Sequence, residues 1–264
     1  MSTLPQGQPA TREQGYSVCE GRVDLWLIRS PGSMDDPDTS DLDDAERRRI
    51  DSFIRPADRL MYATAHIGLR RILAGYTQSS PRDLRFLREP CPGCGAAHGR
   101  PALEAPSTPL HFSLSHSGGM ALVGIAAVPI GVDVEKLPSR QTVEDCSPAL
   151  HPGERSELAG AKDTELKVRF GQIWTRKEAY LKGIGTGLSR DLAEDYLGTD
   201  AQRHPPSWSL LDVPCGPTHC AAAAVQGPAP DRVSLRQVPR QWLGLTETET
   251  GADPVAPFTS TLAC

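Results

Sequence analysis

The sequence predicts an α+β fold, and three observations carry that prediction. Short runs with strand character occur near both ends of the central region and through its middle; longer stretches with a helical period lie between them; and the two kinds alternate as strand, helices, strands, helices, strands. A chain of 264 residues, 38% hydrophobic and 23% charged, has enough apolar material for one large domain or two small ones. Its 24 glycines and 24 prolines point to many ordered turns.

The elements follow in order. Alternation over "VDLWLIRS" (23–30) predicts a strand. "DLDDAERRRIDSFI" (41–54) opens with acids and continues with arginines, the charge order a helix dipole favours. "ADRLMYATAHIGLRRILAGY" (57–76) places Leu60, Ala63, Ile67 and Ile72 near a helical period, with Gly75 as its expected stop. "LRFLREPCPGCGAAHGRP" reads as a short strand followed by a glycine-rich loop. "HFSLSHSGGMALVGIAAVPIGVDVEKL" reads as three consecutive strands turning at Gly118-Gly119 and Pro129-Ile130. "HPGERSELAG" (151–160) starts a helix with Pro152 in its first turn. A further helix carries "WTRKEAYLKGIGTGL" (174–188), with Ile173, Tyr180, Leu181 and Ile184 as its apolar stripe, and strands near "SWSLLDV" and "HCAAAAV" close the body. Residues 1–20 and 226–264 read as tails.

The net charge of −5 speaks against a nucleic-acid binder, which carries a basic face. The N-terminus has no apolar signal region, and the longest apolar run, "MALVGIAAVPI" (120–130), is far short of the ~20 residues that span a bilayer. Seven irregularly spaced cysteines do not make a secreted disulfide framework. A cytoplasmic protein, with neither membrane nor nucleic acid among its partners, is expected.

Three segments could carry chemistry. In "GVDVE" (131–135) strand alternation puts Asp133 and Glu135 on one face, a hard-oxygen pair that suits Mg²⁺ with phosphates and waters; on its own it also fits an exposed edge strand with solvated acids. In the 174–188 helix Trp174, Glu178 and Lys182 repeat every four residues, forming a ridge beside the apolar stripe. A surface Glu–Lys pair would explain part of it, but three glycines in "GIGTG" exceed what a cap needs and imply a close backbone approach to a ligand or neighbour. "FSLSHSGG" (112–119) ends in Ser115-His116-Ser117, hydroxyls and an imidazole that suit a phosphate as well as they suit a capped turn. A triad serine lacks the G-x-S-x-G context.

Taken in this order, "FSLSHSGG", "GVDVE" and "WTRKEAYLKGIGTGL" resemble the 4′-phosphopantetheinyl transferases of the Sfp type, in the form met in the secondary metabolism of high-GC bacteria. "HGRP" (98–101) and "ERRRIDSF" (46–53) resemble two further segments of that family, so the resemblance covers roughly residues 20 to 225. It implies a pseudo-twofold pair of similar α/β halves, here 21–128 and 129–225, flanked by a flexible tail over 1–20 and a partly flexible extension over 226–264. It implies transfer of the phosphopantetheine arm of coenzyme A, with Mg²⁺, to a serine of an apo acyl or peptidyl carrier protein from a polyketide, nonribosomal peptide or fatty-acid synthase, by a monomer. By the same resemblance Asp133, Glu135 and Glu178 would hold the metal, and Glu178 or a metal-activated water would be the base. Lys182, with Lys177 assisting, would pair with the pyrophosphate; Ser115, His116 and Arg100 would hold the 3′-phosphate; Arg49 would be a further phosphate ligand, ahead of Arg47.

Two rivals stand beside this reading. "CPGCGAAH" (91–98) looks like half a zinc knuckle of a nucleic-acid-binding module, with Cys91, Cys94 and His98 as ligands, and Cys215, His219 and Cys220 could complete it only if the fold brings them near. Another Mg²⁺-dependent phosphoryl transferase would use the same acids but would need a triphosphate loop, and no G-x-x-x-x-G-K-[ST] occurs.

Overall fold

The computed structural model describes residues 16–32, 37–106 and 109–243. Its strands are β1 (Arg22–Arg29), β2 (Phe86–Arg88), β3 (Pro101–Leu103), β4 (His111–Ser117), β5 (Met120–Ala126), β6 (Ile130–Lys136), β7 (Trp208–Asp212), β8 (His219–Gln226) and β9 (Arg232–Gln237). Its helices are α1 (Asp44–Asp51), α2 (Pro56–Thr77), α3 (Arg140–Cys146), α4 (Pro152–Leu158) and α5 (Asp163–Ile184).

The same plan occurs twice. In the first half a strand, β1, is followed by the 22-residue α2 and the hairpin β4–β5, and β5 returns antiparallel to β1. In the second half β6 is followed by the 22-residue α5 and the hairpin β7–β8, and β8 returns antiparallel to β6. The orders β4-β5-β1 and β7-β8-β6 are equivalent, which is the pseudo-twofold α+β architecture the sequence predicts. The two sheets face each other across a core that includes Val23, Leu25, Leu122, Val132, Val134 and Ala223. On its other face, β1 sends Trp26 and Ile28 against α2. Both faces of β1 are therefore covered, and the strand is buried almost throughout.

Small residues set how closely α5 lies on its sheet. A Cβ on Gly131 of β6 would stand 1.9 Å from the Ala179 carbonyl and 2.3 Å from the Gly183 amide. Ala222 and Ala224 of β8 belong to the same helix-facing cluster. The seam between the halves is polar: the Ser113 hydroxyl accepts from the Val132 amide at 3.1 Å, and the Ser115 hydroxyl donates to Asp133 at 2.7 Å. The alternating serines of β4 thus fasten one half to the other.

Two expectations are corrected. Gly75 does not end α2, which continues to Thr77 and stops at Gln78 in the left-handed region (φ 55). A Cβ on Gly75 would sit 3.2 Å from the Tyr16 ring, so that glycine makes room for an aromatic side chain. Nor is the segment beyond 225 a tail throughout. β9 adds to the first sheet by parallel pairing with β1, Val233 opposite Val23 and Leu235 opposite Leu25, and both of its side chains are buried. Parallel pairing with a strand some 200 residues earlier leaves no local turn signal to read. Most of the predicted N-terminal tail (1–15), and the "TETETGADP" stretch, lie outside the described residues.

A candidate active-site cleft between the halves

Helix α5 is built to end where chemistry can begin. Gly185 takes the left-handed conformation at its C-cap (φ 81) and returns its amide to the Leu181 carbonyl. Gly183 sits where a Cβ would be 2.6 Å from the Trp208 ring, and Gly185 lies beside Arg100. Two of the three glycines therefore serve close packing and the cap, while Gly185 and Gly187 also line a cleft of about 680 Å³.

Lys182 in the last turn of α5 reaches that cleft. Its ammonium donates to Asp133 Oδ1 at 2.6 Å and to Ser115 Oγ at 3.0 Å. Asp133 is 1% exposed, and its second oxygen, Oδ2, is buried with no hydrogen-bond partner. An orphaned carboxylate oxygen in the interior is costly and calls for a cation or donor. Two more acids crowd it. Burial first, then the Asp133 charge, pushes the half-buried Glu178 above the usual carboxylate range. Glu135 is likewise raised by burial, with the Ser117 hydroxyl partly offsetting the effect and Asp133 adding to it. Three carboxylates thus face one ammonium, a local deficit of positive charge.

The cleft wall draws charge from both halves: Arg88, Arg100 and Lys182 line it, together with the His66 and His116 imidazoles and the Asp43 and Glu46 carboxylates. His116 opens onto the cleft, and its ring is held below the ordinary histidine range by surrounding protein, then by His66 and Lys182. Arg100 is anchored from two sides, donating to Glu89 at 2.8 Å and to the Gly183 carbonyl at 3.0 Å.

The residues expected from sequence separate into groups. Asp133, Glu135, Glu178, Lys182 and Ser115 come together, and His116 and Arg100 stand on the adjoining cleft wall. Lys177 does not join them. It is 2% exposed and faces away, paired with the fully buried Glu154 at 2.9 Å and donating to the Leu192 and Asp195 carbonyls at 2.7 Å each. One helical residue turns the side chain ~100°, so Lys177 and Glu178 cannot share a face. Ser115 is placed apart from His116: its hydroxyl is engaged by Asp133 and Lys182, whereas His116 lines the cleft. Arg49 is exposed on α1 and is not part of the cleft wall. Its guanidinium lies 4.8 Å from the Phe53 ring, which packs on Tyr62, which meets His116 edge-on at 6.2 Å. Arg47 is held by Asp44 and the Thr39 and Leu42 carbonyls.

Sequence reading missed Tyr62, His66 and Arg88. Tyr62 stacks on His66 at 4.0 Å, and His66 bonds Glu46 at 3.0 Å. Their four-residue spacing on α2 was a signal, but one hidden inside an otherwise apolar helix. Cys91, Cys94 and His98 are, among the described residues, the one set of three potential metal-ligating side chains whose ligand atoms all lie within 4.8 Å of one another. Cys215 and Cys220 do not join that set; burial pushes each thiol up to about 11.

Comparison with known proteins places this arrangement. The profile of the 4′-phosphopantetheinyl transferase superfamily matches residues 129–212, the span from β6 through β7. The 4′-phosphopantetheinyl transferase HetI of Nostoc sp. is 29% identical over 225 residues, covering 80% of this chain and 90% of its own. The slr0495 protein of Synechocystis sp., provisionally named a 4′-phosphopantetheinyl transferase, is 30% identical over 171 residues, 64% of this chain and 67% of its own. Among solved structures, a holo-(acyl-carrier-protein) synthase from Bacillus anthracis, in complex with CoA (3′,5′-ADP), aligns at 20% identity and a TM-score of 0.31 over 38% of this chain and 97% of its own.

Proposed function

Since the chain belongs to the 4′-phosphopantetheinyl transferase superfamily and is a transferase of that kind, we propose that its cleft binds coenzyme A and passes the phosphopantetheine arm to a serine of an apo carrier protein. The observation that carries this reading is the buried Asp133 carboxylate, short of one partner and bonded to a Lys182 that lines the cleft together with Arg88 and Arg100. A polyanion such as a pyrophosphate with a 3′-phosphate matches that lining.

The acids fit a divalent metal. Asp133 has an unpartnered buried oxygen, and Glu135 and Glu178 are both held in the protonated direction by burial and by the Asp133 charge, an arrangement a cation relieves. Their ligand atoms do not converge as tightly as the Cys91 set. Mg²⁺ keeps several waters and takes one or two protein carboxylates directly, so the three acids would hold it partly through those waters. Bound there by Asp133, Glu135 and Glu178, it would neutralise the pyrophosphate and stabilise charge developing at the β-phosphorus.

The chain's own groups do the rest. Lys182, already poised at the end of α5, shifts its ammonium from Asp133 toward the pyrophosphate and steadies the departing oxygen. His116 and Arg100 bind the remaining phosphate charge; filling the site with an anion restores the proton that burial draws from His116. Glu178, its carboxyl raised toward neutrality, takes the proton of the carrier serine directly or through a water as the serine oxygen attacks the β-phosphorus. The bond from that phosphorus to the bridging oxygen breaks, and adenosine 3′,5′-bisphosphate leaves. Both walls come from one chain, so a monomer suffices.

Incubation with Mg²⁺, coenzyme A and an apo carrier, followed by intact mass spectrometry, tests this. The carrier gains one phosphopantetheine, and the gain disappears with Asp133→Ala or on chelation. No gain on fatty-acid, polyketide or peptide carriers, with folded protein and an active control enzyme, refutes it.

A further inference from the structure

The hairpin linking β2 to β3 holds side chains that the proposed transfer does not use. The Cys91 amide donates to the Ala96 carbonyl and the Gly95 amide to the Cys91 carbonyl, each at 2.8 Å, while Gly95 takes a φ of 75. This tight turn brings the two thiols and the His98 ring together: all three ligand atoms lie within 4.8 Å of one another, and Cys94 Sγ is 3.0 Å from His98 Nε2. The Gly93 and Cys94 amides point toward Cys91 Sγ, the disposition that orients a metal-bound thiolate. Ligands on a tetrahedral zinc with Zn–S and Zn–N bonds of ordinary length are roughly 3.5–3.8 Å apart, so modest side-chain rotation closes the set.

We propose that Cys91, Cys94 and His98 bind one zinc ion, with water in the fourth position. Two thiolates and an imidazole select zinc over the hard cations that suit the carboxylates of the cleft. Cys91 is buried, whereas Cys94 and His98 are exposed, which leaves an entry path and an open coordination position. The ion ties together the ends of a loop in which His98 and the next residues, Gly99 and Arg100, form cleft wall. Cys215 and Cys220 stand apart, so the site is a single knuckle completed by His98 and not a paired zinc module.

The test uses the full chain without a polyhistidine tag. The chain is stripped with chelator, reloaded with zinc sulfate, desalted into metal-free buffer and assayed for bound zinc. One zinc per chain is expected for the native sequence and for Cys19→Ser, with loss to background in Cys94→Ser and His98→Asn, both exposed positions whose substitution leaves folding intact by circular dichroism. Cobalt(II) in place of zinc is expected to give a thiolate charge-transfer band that Cys94→Ser abolishes. A folded chain that retains no zinc and shows no cobalt band overturns the proposal; so does zinc retained equally in both variants, which puts the ion elsewhere. Neither readout depends on transfer activity, so the zinc site and the proposed reaction stand or fall separately.

Discussion

Lys177→Met separates two roles that adjacent residues of one motif play. Methionine keeps the length and helix preference of lysine but removes its charge and its donors. Lys177 is 2% exposed, and its ammonium holds the fully buried Glu154 and two carbonyls, of Leu192 and Asp195. Burial lowers its proton affinity, and the Glu154 charge opposes that shift. Truncation strands the carboxylate, and removing one partner of a buried pair costs about 3–5 kcal/mol. Glu154 keeps two amide donors, Leu197 at 2.7 Å and His151 at 3.0 Å, which holds the loss toward the lower end. For a chain of this size each kcal/mol moves Tm by about 2–4 °C, so a loss near 3 kcal/mol should lower the melt by about 6–12 °C. Thermal and urea unfolding measure this, and initial rates on coenzyme A, corrected for the folded fraction, measure KM. The KM should stay within about twofold of the native value, since Lys177 faces away from the cleft. Adding Glu154→Gln should recover part of the stability by removing the stranded charge. A variant that melts normally but binds coenzyme A ten times more weakly, roughly 1.4 kcal/mol, refutes the placement of Lys177 in the core.

Other outcomes follow from the same geometry. Asp133→Asn should abolish transfer and the Mg²⁺-induced rise in Tm together, because it removes the central carboxylate of the acid set; a magnesium shift that survives places the metal elsewhere. Glu135 and Glu178 have folded values raised above the unfolded ~4.3, so their ionisation costs stability at higher pH and that cost is relieved as pH falls through the raised values. Magnesium needs them ionised, so its stabilisation measured by thermal melts should grow as pH rises through the weakly acidic range, and a flat or falling profile refutes the assignment. His116 has the opposite sign: its lowered value costs stability as pH falls below the unfolded ~6.5, and a His116→Gln background isolates the carboxylates. Gly131→Ala would press a methyl to 1.9 Å from the Ala179 carbonyl, backbone that cannot rotate away. It should cost about 3 kcal/mol or more in urea unfolding, and near-native stability would show that β6 and α5 can part freely.

Some of this protein was legible in one dimension. The second half of α5 announces itself by a 3.6 period from Ile173 onward, and the β4–β5–β6 run by alternation and glycine turns. Lys182, His116 and Arg100 stand on well-spaced motifs and line the cleft, while Asp133 and Glu178 lie beside Lys182; local periodicity fixes which side of its element each occupies. Lys177 shows the limit of that rule: the motif names the residue, yet the helix turns it inward to a partner, Glu154, that no spacing connects to it.

What the sequence determined by itself is the local grammar of the central body: most of its helices and strands, and which polar residues share a face with one another. Hydrogen bonds within a few residues and side-chain period decide those features, and both are written in consecutive letters. Only the tertiary structure decided that β9 joins β1, that the serines of β4 fasten the two halves, that Ser115 belongs to Asp133, and that Tyr62, His66 and Arg88 complete the cleft wall. Those contacts bring together residues separated by tens to hundreds of positions. Their partners are chosen by how buried faces pack and how buried charges find counter-charges, and neither choice exists until the chain has folded.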